Sequence, residues 1–259
     1  MKKAVLLSFL LLFTAFFALG CAKEADVVVL DTHASPDASS AIVLTPFSGG
    51  ESPAPASGKT ASLEVVSTVA YAYTANGETT LYGAAEYKNT GTANIVVNKA
   101  AFTFRADGRT AEREFEPVLS QYDIVAPGES SFVTLWLASD AIPEGAAVTL
   151  EAALTCAAAE NTRAGLEASN LFLADNYPKF TTMSGTLKNT AASEYSFLMA
   201  YVGFYDENEN LLGVWYFTKN LRLSPGESTD FVTRMEDLPV NGLSKSVTSM
   251  KTSAFGFNG

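Results

Sequence analysis

Lys188-Asn189-Thr190 repeats Lys88-Asn89-Thr90 at an offset of 100 residues, and Phe204 repeats Phe104 at the same offset. Further on, Pro225-Gly226-Glu227-Ser228 repeats Pro127-Gly128-Glu129-Ser130 at an offset of 98. After one more shift Phe231-Val232-Thr233 meets Phe132-Val133-Thr134. Ordered matches separated by small indels imply two copies of one unit. The matched residues read as scaffold. Asn suits the chain reversal at the end of a strand, and Pro-Gly suits the two central positions of a type II turn that feeds the next strand.

Around these marks the chain is rich in Val, Thr, Phe and Tyr and broken by Gly, Pro, Asn or Asp. Strands are expected at Leu63 to Thr74, Thr79 to Lys88, Asn94 to Arg105, Ser130 to Leu137 and Val148 to Cys156. The succession returns at Leu166 to Ala174, Phe180 to Lys188, Tyr195 to Tyr205, Leu211 to Thr218, Thr229 to Arg234 and Ser246 to Phe257. No amphipathic pattern longer than two helical turns is present, and Ala157 to Leu166 is expected as one short helical connector. About seven short strands per copy imply an all-β fold of two tandem immunoglobulin-like β-sandwich domains. Their expected bounds are 62–160 and 165–259. On Tyr195 to Tyr205 both faces are apolar, which suits a central strand with a covered outer face.

The second copy reads Ser184-Gly185-Thr186-Leu187-Lys188-Asn189-Thr190, then Val202-Gly203-Phe204-Tyr205-Asp206, then Leu223-Ser224-Pro225-Gly226-Glu227-Ser228. It resembles the FxLYD domain, a small β-sandwich of bacterial and archaeal exported proteins, with Val202 in place of the family's Phe and Phe204 in place of its Leu. The first copy has Phe102-Thr103-Phe104-Arg105-Ala106, which keeps the first aromatic and loses the Tyr-Asp pair. The resemblance implies a sandwich without catalytic residues.

Ahead of the repeats, Lys2 and Lys3 precede an apolar run from Ala4 to Leu19 that closes in Ala18-Leu19-Gly20-Cys21. A positive start, an apolar stretch and a small-residue end make a secretory signal peptide over 1–20, shorter than the roughly 20 residues of a membrane span. The cysteine makes it similar to a bacterial lipoprotein signal, although the family's usual Leu three residues before it is Ala18 here. That resemblance implies diacylglyceryl transfer to Cys21, anchoring at the extracytoplasmic face of the cell membrane, and a membrane partnership through the lipid. From 21 to 61 the composition of Ala, Ser, Pro, Gly, Asp and Thr is that of a flexible, largely disordered linker, with Val27 to Leu30 and Ala41 to Leu44 as apolar patches.

Removal of Lys2 and Lys3 with the leader takes the formal charge from −11 to −13, an unsuitable balance for nucleic acid or anionic headgroups. With Cys21 lipidated, Cys156 has no disulfide partner, and its place in an alternating strand makes it a small core hydrophobe. His33 is the only histidine and falls in the linker, so no triad, no Cys/His metal site and no cofactor are expected. Asp206-Glu207-Asn208-Glu209-Asn210 has oxygen ligands at alternate positions like the start of a calcium loop. Leu211 and Phe217 stand where that loop needs Gly and Glu, so a hairpin turn is expected. Asp107-Gly108 is the matching hairpin signal in the first copy. Trp215 and Tyr216 are the expected contact residues, because alternation turns one of them outward.

These readings converge on a non-enzymatic, lipid-anchored binding or spacer protein of the bacterial envelope with a protein or envelope glycan partner. The alternatives are a carbohydrate-binding module using Trp215 or Tyr216, and an envelope glycan hydrolase with a carboxylate pair.

Overall fold

The computed structural model describes residues 58–258 except 76, 177–179, 237 and 239–241. The leader, Cys21, His33 and the two apolar patches of the linker lie outside the described residues.

The chain is all-β. The first half contains β1 (Leu63–Ala75), β2 (Glu78–Asn89), β3 (Asn94–Ala106), β4 (Arg109–Phe115), β5 (Ser130–Ala138) and β6 (Thr149–Ala159). The second contains β7 (Leu166–Asn176), β8 (Phe180–Asn189), β9 (Tyr195–Tyr205), β10 (Leu211–Leu223), β11 (Ser228–Met235) and β12 (Ser249–Phe257), with a single helical turn α1 (Leu243–Ser246). They form four antiparallel three-stranded sheets, ordered β1-β2-β5 and β4-β3-β6, then β7-β8-β11 and β10-β9-β12. The topology of the first half therefore recurs strand for strand in the second.

Among the described residues each half has the A-B-E and C′-C-F sheets of an immunoglobulin-like sandwich and no strands D and G, so six strands are seen per half rather than seven. β4 went unseen in the sequence because only Ala111 in it is buried, and Arg109, Glu112, Arg113 and Glu114 face solvent. The helical connector expected at Ala157 to Leu166 is also absent. Ala157, Ala158 and Ala159 extend β6 by pairing with Val96, Ile95 and Asn94.

The repeated tripeptide has a structural meaning beyond chain reversal. Asn89 is fully buried, and its Nδ2 donates to the carbonyls of Ala93 and Val125, both at 2.8 Å, while its Oδ1 accepts from Gly91 N at 2.9 Å. Asn189 does the same with Ser193 (2.8 Å), Leu223 (2.9 Å) and Ala191 (2.9 Å). The Pro-Gly turns close onto these asparagines. Gly128 and Gly226, at φ of 83° and 80°, donate to the carbonyls of Asn89 and Asn189, both at 2.9 Å. One hydrogen-bonded plug thus ties three chain segments together in each half.

The ladders correct one step of the sequence alignment. Ser130 pairs with Lys88 and Ser228 with Lys188, so the offset of 98 persists along β5 and β11 and the extra shift is not real. Phe132 corresponds to Asp230, and Phe231 to Val133. A one-residue slip in a strand exchanges its faces, and Phe132 and Phe231 do face different ways.

Candidate functional site: the seam and the outer sheet

The face of β1-β2-β5 that points away from its own core packs on the corresponding face of β10-β9-β12. Tyr82, Ala84 and Phe132 of the first half thereby join the core of the second, with Val69, Tyr71, Tyr73 and Trp136 packed against it. Both faces of β9 are covered, as its two apolar faces require. Leu198, Ala200, Val202 and Phe204 fill the second sandwich, and Tyr201, Gly203 and Tyr205 meet the first. Gly203 is needed here, because a Cβ would stand 2.6 Å from the Phe132 ring.

Polar groups in this seam are paired across it. The Tyr82 hydroxyl donates to Val214 O at 2.8 Å and accepts from Val214 N at 2.7 Å, and the Tyr71 hydroxyl donates to Leu212 O at 2.8 Å. These backbone groups belong to the outer edge of β10, beyond which no strand lies among the described residues. Glu86, with 2% exposure, accepts from the Tyr205 hydroxyl at 2.8 Å and from Lys251 Nζ at 3.2 Å. Burial, then the hydrogen bond to Glu86, holds the Tyr205 phenol well above the ordinary tyrosine range. Burial does the same for Tyr82 and Tyr201.

A second cluster lies where the chain passes from one half to the other. Arg163 Nε donates to Ile124 O at 2.9 Å, and its Nη2 reaches Asp123 Oδ1 at 3.2 Å and Ser253 Oγ at 2.9 Å. Buried Asp123 also accepts from Ser131, Ser253 (3.2 Å) and Tyr87 (3.3 Å). The connecting residue is thus bonded to both halves. Nothing in its own sequence context marks it out; only the fold brings Asp123 and Ser253 to it.

The expected contact residues fall inside. Trp215 turns into the second sandwich, 7% exposed, with its Nε1 donating to Thr233 Oγ1 at 3.2 Å. Tyr216 does take the opposite face, but that face is the seam, where its ring meets Trp136 and Tyr201 at 5.8 Å each. The alternation holds, and the first half occupies the space the alternation left open. Cys156 is half-buried against the first core, and burial pushes its thiol up. Asp206 caps its own turn, accepting from Asn208 N and Asn210 N at 2.8 Å and from Asn210 Nδ2 at 2.9 Å. Those bonds hold its carboxyl below the usual range and use the oxygens a cation would need. Among the described residues no cluster of three metal-ligating side chains occurs.

Two surfaces remain outward. The outer face of β4-β3-β6 is charged and paired, Lys99 with Glu114 at 2.7 Å and Arg105 with Glu151 at 3.4 Å, beside a shallow depression of about 570 Å³ lined by Asn98, Phe115 and Thr155 among others. The outer face of β7-β8-β11 differs. Phe172 and Val232, 64% and 59% exposed, both pair with Ser184 and so lie in one row across the sheet. Thr182 and Thr186 flank that row on β8. The ladder slips between Ser169 and Phe172, where Asn170 adopts a φ of 53°. This one-residue bulge reverses the alternation and turns Phe172 outward while Leu171 turns in. Period-two reading across β7 could not show it.

No family model and no curated protein matches the chain. Among solved structures, Bacteroides uniformis β-glucuronidase 2 covalently bound to cyclophellitol-6-carboxylate aziridine is similar at 10% identity and a TM-score of 0.23, over 76% of this chain and 32% of that one. A calcium-binding mutant of the same enzyme gives 12% identity and a TM-score of 0.22, over 76% and 33%. The chain spans about a third of the length of these proteins. A likeness this slight carries no functional argument.

Proposed function

We propose that this protein is a lipid-anchored, extracytoplasmic binding or spacer module of the bacterial envelope, non-enzymatic and built from two FxLYD-type sandwiches. The anchor rests on the Ala18-Leu19-Gly20-Cys21 run and the leader before it. The spacer role is supported by the seam. Apolar packing, tyrosine hydroxyls on β10 and the Arg163–Asp123–Ser253 cluster join the halves face to face, so a load or a partner on one half is transmitted to the other without a hinge. The observation that carries the reading is this continuous core across the two halves, which makes a stiff body and leaves its sheet faces as the contact surfaces.

Metabolic labelling with a palmitate analogue in a bacterial expression host tests the anchor. The wild-type chain takes up label and Cys21→Ala does not; an unlabelled wild type overturns the anchor. Spin labels placed on β4 and β11 test the spacer. One narrow distance distribution is expected, and a broad one rejects the stiff body.

A further inference from the structure

We propose that the outer face of β7-β8-β11 binds a neutral glycan chain, with Phe172 as the stacking platform. This deepens the binding reading above and depends on it only for the place where such a glycan is met.

The first half shows what this face does when it docks protein. In β1-β2-β5, the sheet at the equivalent place, docking uses Tyr71, Tyr82, Phe132 and Trp136. The ladders put Ala174, Thr182, Asp230 and Arg234 at those positions in β7-β8-β11. The large anchors of a protein interface have been replaced by small, hydroxyl-bearing or charged side chains, which disfavours a second β-sheet as occupant. Two apolar side chains stand out instead. Phe172 and Val232 are separated by two strand spacings, roughly 9.5 Å, with Ser184 between them.

A sugar ring offers an apolar C–H face and a rim of hydroxyls. Phe172 fits the first; Ser184 on its own row and Ser169 on the next supply donors and acceptors for the second, Asp230 supplies an acceptor, and Thr182, whose hydroxyl donates to Ala174 O at 3.1 Å, and Thr186 supply hydroxyl acceptors. Thr186 already donates to Asp230 at 2.9 Å, which orients that carboxylate along the sheet. Charge selects the class of glycan. Glu167 and Asp230 stand on this face with Lys188 and Arg234, and Glu236 lies 3.9 Å from Arg234, so a nearly balanced surface sits on a chain of net charge −11. Such a face suits an uncharged polymer, and the rest of the molecule repels an anionic one. The bulge at Asn170 supports the assignment, because without it Phe172 would face the core.

The test uses the full-length protein purified in detergent and titrated with cellohexaose and chitohexaose, with polygalacturonate as the anionic control. At least one neutral hexasaccharide is expected to bind. Phe172→Ala weakens that binding at least tenfold, Phe172→Trp retains it, and Lys99→Ala on the opposite sheet leaves it unchanged. Binding of neither hexasaccharide overturns the proposal, as does equal binding by Phe172→Ala or stronger binding of polygalacturonate. Head-to-tail association of purified chains through this face also overturns it. Because lipid labelling of Cys21 is read separately, loss of glycan binding with labelling intact refutes the glycan face alone.

Discussion

The sheets β1-β2-β5 and β7-β8-β11 occupy the same place in two copies of one topology and have opposite surroundings. The first is buried on both faces, and the second has one face in water. The difference is carried by a few positions, Tyr82 against Thr182, Trp136 against Arg234 and Phe132 against Asp230, while the buried plugs Asn89 and Asn189 are identical in their bonds. The scaffold of a repeat is therefore separable from its surface. The interface is written on two non-equivalent sheets, β1-β2-β5 of one copy and β10-β9-β12 of the next. Such a head-to-tail contact is open-ended by geometry, and the two outward faces carry polar residues where the seam carries aromatic ones.

The two sheets differ most in energy at Tyr82. Tyr82→Ala removes a fully buried ring and both bonds to Val214, and should cost about 3–5 kcal/mol in urea unfolding. Arg163→Ala leaves buried Asp123 without its cation. A loss of about 3 kcal/mol is expected, at the low end for a broken buried pair because the arginine side chain is 21% exposed. In a spin-label measurement the same variant should broaden the distance between the halves.

Asn89→Ala and Asn189→Ala test the shared part of the two copies. Each strands buried backbone groups and should cost about 1–3 kcal/mol, and the two losses should agree within about 0.5 kcal/mol. A large disparity would show that the plugs are alike in geometry alone. The seam also predicts an alkaline limit. Tyr82, Tyr201 and Tyr205 have folded-state pKa values above the unfolded value near 10, so their contribution is complete below pH 10 and is lost as pH rises beyond it. Stability should fall above pH 10 by about 1.4 kcal/mol per pH unit for each such tyrosine, and Tyr82→Phe should reduce the slope by one such increment. The smallest effect belongs to Thr182→Ala, the counterpart of Tyr82 on the open face, which should stay within about 0.5 kcal/mol of wild type.

Strand positions and the repeat were legible in the sequence because turn chemistry and alternation are local. What a face meets is not local. Alternation placed Trp215 and Tyr216 on opposite sides of β10, yet nothing near them says that the far side is covered by residues more than 70 positions earlier. The same limit hid Arg163, whose partners come from both halves. Phe172 escaped for a different reason. A bulge adds one residue without changing composition, so the periodic pattern reads correctly on either side of Asn170 and wrongly across it. β4 was invisible because a strand with one buried residue has almost no apolar pattern to detect.

The hydroxyls of Tyr71 and Tyr82 occupy the unpaired rim of β10, and this has a consequence for how the molecule fails. Once the halves part, a long strand with bare amides becomes a template for a strand from another molecule. Damage to those two tyrosines should therefore show itself as fibrous aggregates that grow with protein concentration, before any of the individual sandwiches has melted.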